Sequence, residues 1–473
     1  MKKIAILVFF TVGFFVHVWA CTGLIAGKQA TVDGSVLVTY SADSHTLYGA
    51  LTSSPAADWP KGSMRSIVEW DTNKPLGEIE QVEHTYAVIG NMNEHQLTVV
   101  ESTWGGRPEL VDTTGIIDYG SLMQLALERA KTAREAIKVM TGLVKKYGYY
   151  SSGESFTIAD PNEAWILDLI GKGPGRRGAV WVAVRIPDDC IAGHANYPRI
   201  HKIPMDDKEN CLYSPDVISF AREMGYFDGL NKDFSFARAY SPADFGALRA
   251  CDARVWSFFR KYDSTMDNYL PYVNGESAEP FPLYVKPSRK LSVQDMKEAM
   301  RDHFEDTPFD MTQDVGAGPF KVPYRFRPMS FEVDGKSYCM ERAIATQQTG
   351  FTLVGQMRNW LPDPVGGVLW FGVDDANTCV YIPMYCGITQ VPECFSPENG
   401  SMYDFSWTSA FWIHNWVANM AYARYEPMIG DIRKVQSAVE TSLNLRQPAV
   451  DKAAVELYAT SPQEAIIDKV ITW

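Results

Sequence analysis

The 473-residue chain has no C-x-x-C pair and no HExxH motif, and its eight histidines do not cluster at ligand spacing. These absences argue against a structural or catalytic zinc, and no metal or organic cofactor is expected. The Gly-rich stretch GKGPGRRG at 171–178 lacks the Gly-Lys-Ser/Thr ending of a phosphate-binding loop. Basic residues are outnumbered, 44 against 57 acidic ones. Without Lys2 and Lys3, 42 face 57, a formal charge of −15. That balance argues against nucleic acid or an anionic membrane as partner. The acidic residues are scattered, as on a solvated surface. Repeats and low-complexity tracts are absent, and no apolar run after residue 18 is long enough to span a bilayer.

Lys2 and Lys3 precede an almost purely apolar run over residues 4–18, and Val18-Trp19-Ala20 follows. This pattern predicts a secretory signal cleaved after Ala20, which takes the product to the periplasm or outside the cell. The apolar run is shorter than the roughly 20 residues that a span needs. Cleavage leaves one domain, residues 21–473, with Cys21 at its N-terminus. A cysteine there carries a thiol and a free α-amine on the same carbon, so nucleophile and base arrive together. The competing fate is lipidation, for which Val18 and Ala20 fit but Trp19 does not. The other seven cysteines enter an oxidising compartment, where an odd number leaves at least one thiol unpaired. Their spacing fixes no pairing.

Residues 22–39 read as two strands joined at Asp33-Gly34, with Cys21 opening the first strand at a sheet edge. HTYAVIG (84–90) and QLTVVES (96–102) read as a second pair, with Asn91, Asn93 and Glu94 in the turn. Helical periodicity covers 119–147, and Thr132-Ala-Arg-Glu135 is a capping box that starts the second helix. Strand signals return at 155–160, 163–170 and 179–186. Residues 187–340 are irregular, with weak helices near 215–224, 242–262 and 292–304. Strands are expected again at 342–350, 351–357, 367–373 and 378–385, before a helical tail. Adjacent strand pairs with helices in separate blocks suggest a layered α+β fold.

The opening CTGLIAGKQATVDGS (21–35) resembles the start of the mature secreted cysteine dipeptidases of the N-terminal-nucleophile (Ntn) hydrolase superfamily. The resemblance continues through IGNMNEHQLTVVEST (89–103), LMQLALERAKTAREAIKVM (122–140), AGHANYPRI (192–200) and ATQQTGFTLVGQMR (345–358). It implies a four-layer αββα sandwich with two antiparallel sheets, and hydrolysis of dipeptides; the irregular residues 187–340 read as an insertion, open to a role as a lid or a subunit contact. Cys21 Sγ would attack the scissile carbonyl, with its own amine exchanging the proton. By the same resemblance Asp43 orients the ammonium, Asn93 donates to the oxyanion, and Asn196 holds nucleophile or substrate. Arg254 or Arg260 supplies a distal arginine.

One departure stands out. Many relatives carry Arg-Asn where this chain has Tyr40 and Ser41, and an arginine near the thiol favours thiolate. His45, His95 and His194 lie near these motifs, but a lone histidine is more often structural. Two other readings remain open: an amidase on a non-peptide amide, and a lipid-anchored binding protein. The expected partner is a dipeptide or short peptide, with no membrane span in the mature form and self-association possible.

Overall fold

The computed structural model describes residues 21–325, 330–339 and 341–461. The expected signal segment, 1–20, lies outside them. Strand β1 (Thr22–Ala26) and strand β2 (Val36–Asp43) are buried at every position. The turn between them is closed by Asp33, whose Oδ1 accepts from Ser35 N at 3.0 Å and Ser35 Oγ at 2.6 Å. Gly34 sits at φ +87°, which suits glycine.

The two strands form the centre of a seven-stranded antiparallel sheet. Its order is Tyr284–Val285, Ile191–His194, β1, β2, Thr349–Met357, Val368–Val373, Ile382–Tyr385. The expectation that β1 lies at an edge is corrected. Ile191–His194 pairs with its outer side, with Gly23 opposite His194. That neighbour comes from 187–340, whose sequence pattern suggests only weak helices. A second, eight-stranded antiparallel sheet runs Cys211–Tyr213, Ala179–Ile186, Ala164–Gly171, Gly153–Ala159, Thr98–Trp104, Met92–Asn93, Val88–Ile89, Ser53–Ser54.

Alternation along the strands sorts the side chains into distinct cores. Ile25, Val36 and Val38 of the first sheet share one cluster with Val100, Ile166 and Val182 of the second. Leu24, Ala26 and Leu37, on the opposite face, pack with Val255, Trp256 and Phe259 of the helix Ala253–Arg260. Helices α1 (Tyr119–Arg129) and α2 (Ala133–Tyr147) cover Val99, Phe156 and Leu167 of the second sheet. Asp118 and Thr132 cap their N-termini, accepting from Ser121 N and Glu135 N. The protein is therefore α+β, with two large antiparallel sheets and helices packed on them.

The expected strand at 342–350 does not form as such. One strand, Thr349–Met357, replaces the two predicted. Arg342 is drawn instead toward Asp43 and donates to Ile344 O at 3.2 Å, which holds its own segment out of the ladder. The tail is helical, as expected, over Ala410–Ala423 and Tyr425–Thr460. Cys21, Cys190, Cys211, Cys251, Cys379, Cys386 and Cys394 are free thiols. Among the described residues no helix is long and apolar enough to cross a membrane.

Candidate active site

Cys21 precedes β1 and is buried, 3% exposed. It lines a cavity of about 290 Å³ together with Tyr40, Asp43, Asp71, Glu101 and Tyr119. Three groups fix it. Arg254 Nη1 donates to its carbonyl at 2.8 Å. The backbone N–H of Asp43 is directed at its sulfur, and Tyr40 Oη lies 3.7 Å from Sγ. Burial pushes the thiol well up, and the charges of Glu101 and Asp43 add to this; the Asp43 N–H and the Tyr40 hydroxyl pull the other way. A free α-ammonium on Cys21 would stand beside the sulfur, and an opposite charge that close favours thiolate.

Asp43 ends β2. Its carboxylate accepts from Thr349 Oγ1 at 2.7 Å and Ser41 Oγ at 3.1 Å, and it forms a buried ion pair with Arg342. Arg254 opens its helix at the sheet's outer face. Besides Cys21 O it donates to Thr22 Oγ1 (2.7 Å), Ala195 O (3.0 Å), Asn196 Oδ1 (2.7 Å) and Ala250 O (2.9 Å). All five N–H directions of the guanidinium are thereby used. Burial, then Arg342, lowers it to about 10. Asn196, at φ +60°, bridges this arginine to Thr103 O at 2.5 Å. Cys21, Asp43, Asn196 and Arg254 are thus brought together. Arg260 is not among them, since it pairs with Asp267 at 2.5 Å in an exposed contact.

Asn93 has a different position from the one expected. Its Nδ2 donates to Leu127 O and Ala130 O, both at 2.8 Å, and its Oδ1 accepts from His95 N and Leu97 N. Both amide hydrogens are spent on the end of α1, so none is left for an oxyanion. Asn91, two residues earlier, does line the cavity, with Nδ2 donating to Val99 O at 3.0 Å. The histidines are structural in their contacts. His194 lies between Ser102 Oγ (2.6 Å) and Thr157 Oγ1 (2.8 Å), and burial pushes its imidazole down to about 3. His95 pairs with Asp363 at 3.2 Å.

Sequence reasoning did not find Asp71, Glu101, Tyr119, Glu154 or Arg342. Glu101 did leave a signal, as the one charged side chain in the otherwise uncharged strand Thr98–Trp104. It accepts a short hydrogen bond from Tyr40. Glu154, on the adjacent strand, faces Glu101, with Glu101 Oε2 and Glu154 Oε1 both buried and without a hydrogen-bond partner among the described residues; burial and the charge of Glu101 push the Glu154 carboxyl well up. Asp71 accepts from Tyr119 Oη at 2.8 Å and is raised to about 6, chiefly by burial.

The model of peptidase family C69 matches residues 20–438. A protein of Latilactobacillus sakei named probable dipeptidase is 24% identical, over 92% of this chain and 88% of its own length. One of Salmonella dublin with the same name is 27% identical, over 78% and 81%. Dipeptidase A of Lactobacillus helveticus is 24% identical, over 86% and 82%. The match begins one residue before Cys21 and takes in every residue of the cavity, so the chain belongs to peptidase family C69.

Proposed function

We propose that this protein is an exported dipeptidase whose nucleophile is Cys21, exposed when the first 20 residues are removed. The observation that carries the reading is the position of Cys21, with its sulfur at the cavity and its carbonyl held by a fully engaged Arg254. The relatives named dipeptidase, matched over most of their length, support the substrate class. The packing of the two sheets and their helices fits the αββα order of Ntn hydrolases.

In this reading Sγ forms a bond to the scissile carbonyl carbon and the C–N bond breaks. The departing amine takes a proton from the Cys21 ammonium. Water then attacks the thioester, giving its proton to the α-amine, and the sulfur leaves. Arg342, Thr349 and Ser41 fix the Asp43 carboxylate where it orients that ammonium. Arg254 and Asn196 are positioning residues for the nucleophile. Asn91, rather than Asn93, is the amide of this turn available to the oxyanion. The cavity's charged lining is carboxylate, from Asp43, Asp71 and Glu101. That favours a substrate with a free amine over the apolar acyl chain of an amidase.

The test is a dipeptide panel, set beside N-acylated amides, on protein that starts at Cys21. Dipeptides should be cleaved and Cys21→Ala should retain its fold with no activity. Full activity in that variant, or cleavage of N-acylated amides alone, rejects the reading. The intact mass of exported protein decides against lipidation when it matches an unmodified cysteine.

A further inference from the structure

Tyr40 stands where an arginine would favour thiolate, and what surrounds it is acidic. Its Oη lies 3.7 Å from Cys21 Sγ and makes a short hydrogen bond to Glu101 Oε1. A phenol has one proton to give. The carboxylate is a stronger acceptor than a neutral thiol, so that proton points to Glu101. The lone pairs of Oη are then free to accept from S–H. Behind it Glu154 faces Glu101: Glu101 Oε2 and Glu154 Oε1 are both buried with no hydrogen-bond partner among the described residues, and Thr103 Oγ1 donates to the far oxygen of Glu154 at 3.1 Å. Two buried carboxyls in contact do not both ionise. Glu154 therefore holds a proton, and placed between those two oxygens it lets Glu101 accept from both sides.

We propose that Tyr40 and Glu101 are the base that activates Cys21, the hydroxyl passing its own proton to Glu101 as it receives the proton of the thiol, while Glu154 serves as the neutral donor behind them. The proposal rests on the dipeptidase reading and assigns its proton path. The proton leaves sulfur for Tyr40 Oη, the Tyr40 proton moves to Glu101 Oε1, and one negative charge moves from Glu101 to sulfur. The cavity's net charge does not change, which suits a buried site. The α-ammonium is then not needed as a base for this step. It stays charged beside the thiolate and serves as the acid for the leaving amine. After hydrolysis the released thiolate recovers its proton from Glu101 by the same route. Tyr40 touches the reacting sulfur and is a catalytic residue; Glu101 and Glu154 act through it as positioning residues.

The two proton paths differ in pH dependence. If the α-amine is the base it must be neutral, and activity rises through its titration near about 7.7–8. If the relay is the base, activity does not require a neutral amine: it persists below the amine's range, and the loss of ammonium gives the basic limb. The titratable groups facing Glu101 are Cys21, Tyr40, Asp71, Tyr119, Tyr149 and Glu154. Asp43, with its partner Arg342, also faces the thiol. Asp71 titrates at about 6 and is the group most able to imitate an acidic limb.

The experiment measures kcat/KM against pH for a dipeptide, using protein that starts at Cys21. The wild-type limb should lie below pH 7. Tyr40→Phe and Glu101→Gln should move it up by about one unit or more, into the amine's range, with about 10²-fold lower activity at pH 6. Glu154→Gln, which keeps a neutral donor, and Asp71→Asn should leave the limb in place. A wild-type limb already in the amine's range overturns the relay without any variant having to fold. So does an unmoved limb in folded Tyr40→Phe and Glu101→Gln, or a limb moved by Asp71→Asn. Absence of all dipeptidase activity in the wild type overturns the functional reading itself, and is distinct from a misplaced limb.

Discussion

Asp43 and Glu101 flank the same thiol under opposite arrangements. Asp43 is met by a cation and two hydroxyls, from Arg342, Thr349 and Ser41. Glu101 is met by a phenol and a second carboxyl, from Tyr40 and Glu154. A carboxylate paired with a buried guanidinium holds its charge and its place. A carboxylate backed by a neutral acid can exchange a proton at little electrostatic cost. The difference assigns fixed charge to one side of Cys21 and proton traffic to the other.

The contrast can be broken most strongly at Asp43. Asp43→Asn leaves the buried Arg342 facing a neutral amide, and stability should fall by about 3–5 kcal/mol in chemical denaturation. Glu101→Gln has no buried cation to strand and should cost far less. Equal losses would remove the distinction. Asn93→Ala comes next. It frees buried carbonyls and N–H groups at the end of α1, a loss of about 2 kcal/mol or more, while kcat of the folded protein stays unchanged. A large fall in kcat with an unchanged melting temperature would return Asn93 to the chemistry.

Glu154 gives a smaller effect with a definite sign. Its folded-state carboxyl is raised, so the native state binds a proton that the unfolded chain releases above about 4.3. Its contribution is fully present below that unfolded value and is lost as pH rises. The wild type should therefore lose stability relative to Glu154→Gln as pH rises above that value, by at most about 1.4 kcal/mol per pH unit. Parallel stability curves for the two proteins would show that Glu154 is not the proton holder. The smallest effect belongs to Arg260→Ala. It removes an exposed pair worth about 0–1 kcal/mol, and activity should not change. Arg254→Lys, which loses the fork holding Cys21 and Asn196, should cost on the order of 10²-fold in kcat.

The sequence made some of this legible. The Asp33-Gly34 turn, the Thr132 cap and the strand runs at 155–186 are local signals, and the corresponding elements form where expected. Cys21 and Asp43 belong to one hairpin, so local pattern brings them near each other. Arg254 and Arg342 lie more than 200 residues from Cys21 in sequence, and only the folding of 187–340 around β1 puts the first of them in place. No spacing rule could choose Arg254 over Arg260. Asn93 shows the converse. Its type and place in a turn fitted an oxyanion donor, but an asparagine in a turn is as readily spent on backbone groups, and here every hydrogen of its amide is so used. Tyr40 was visible only as a departure, because its meaning depends on Glu101 from another sheet.

If Cys21 works through an uncapped N-terminus, a residue retained ahead of it should abolish turnover. The same protein is prepared beginning at Cys21 and beginning with a methionine retained ahead of it, and both are assayed on one dipeptide at equal folded concentration. Turnover is expected from the first and none above background from the second, since an amide nitrogen cannot protonate the leaving amine. Equal turnover from the two proteins would show that the α-amine takes no part.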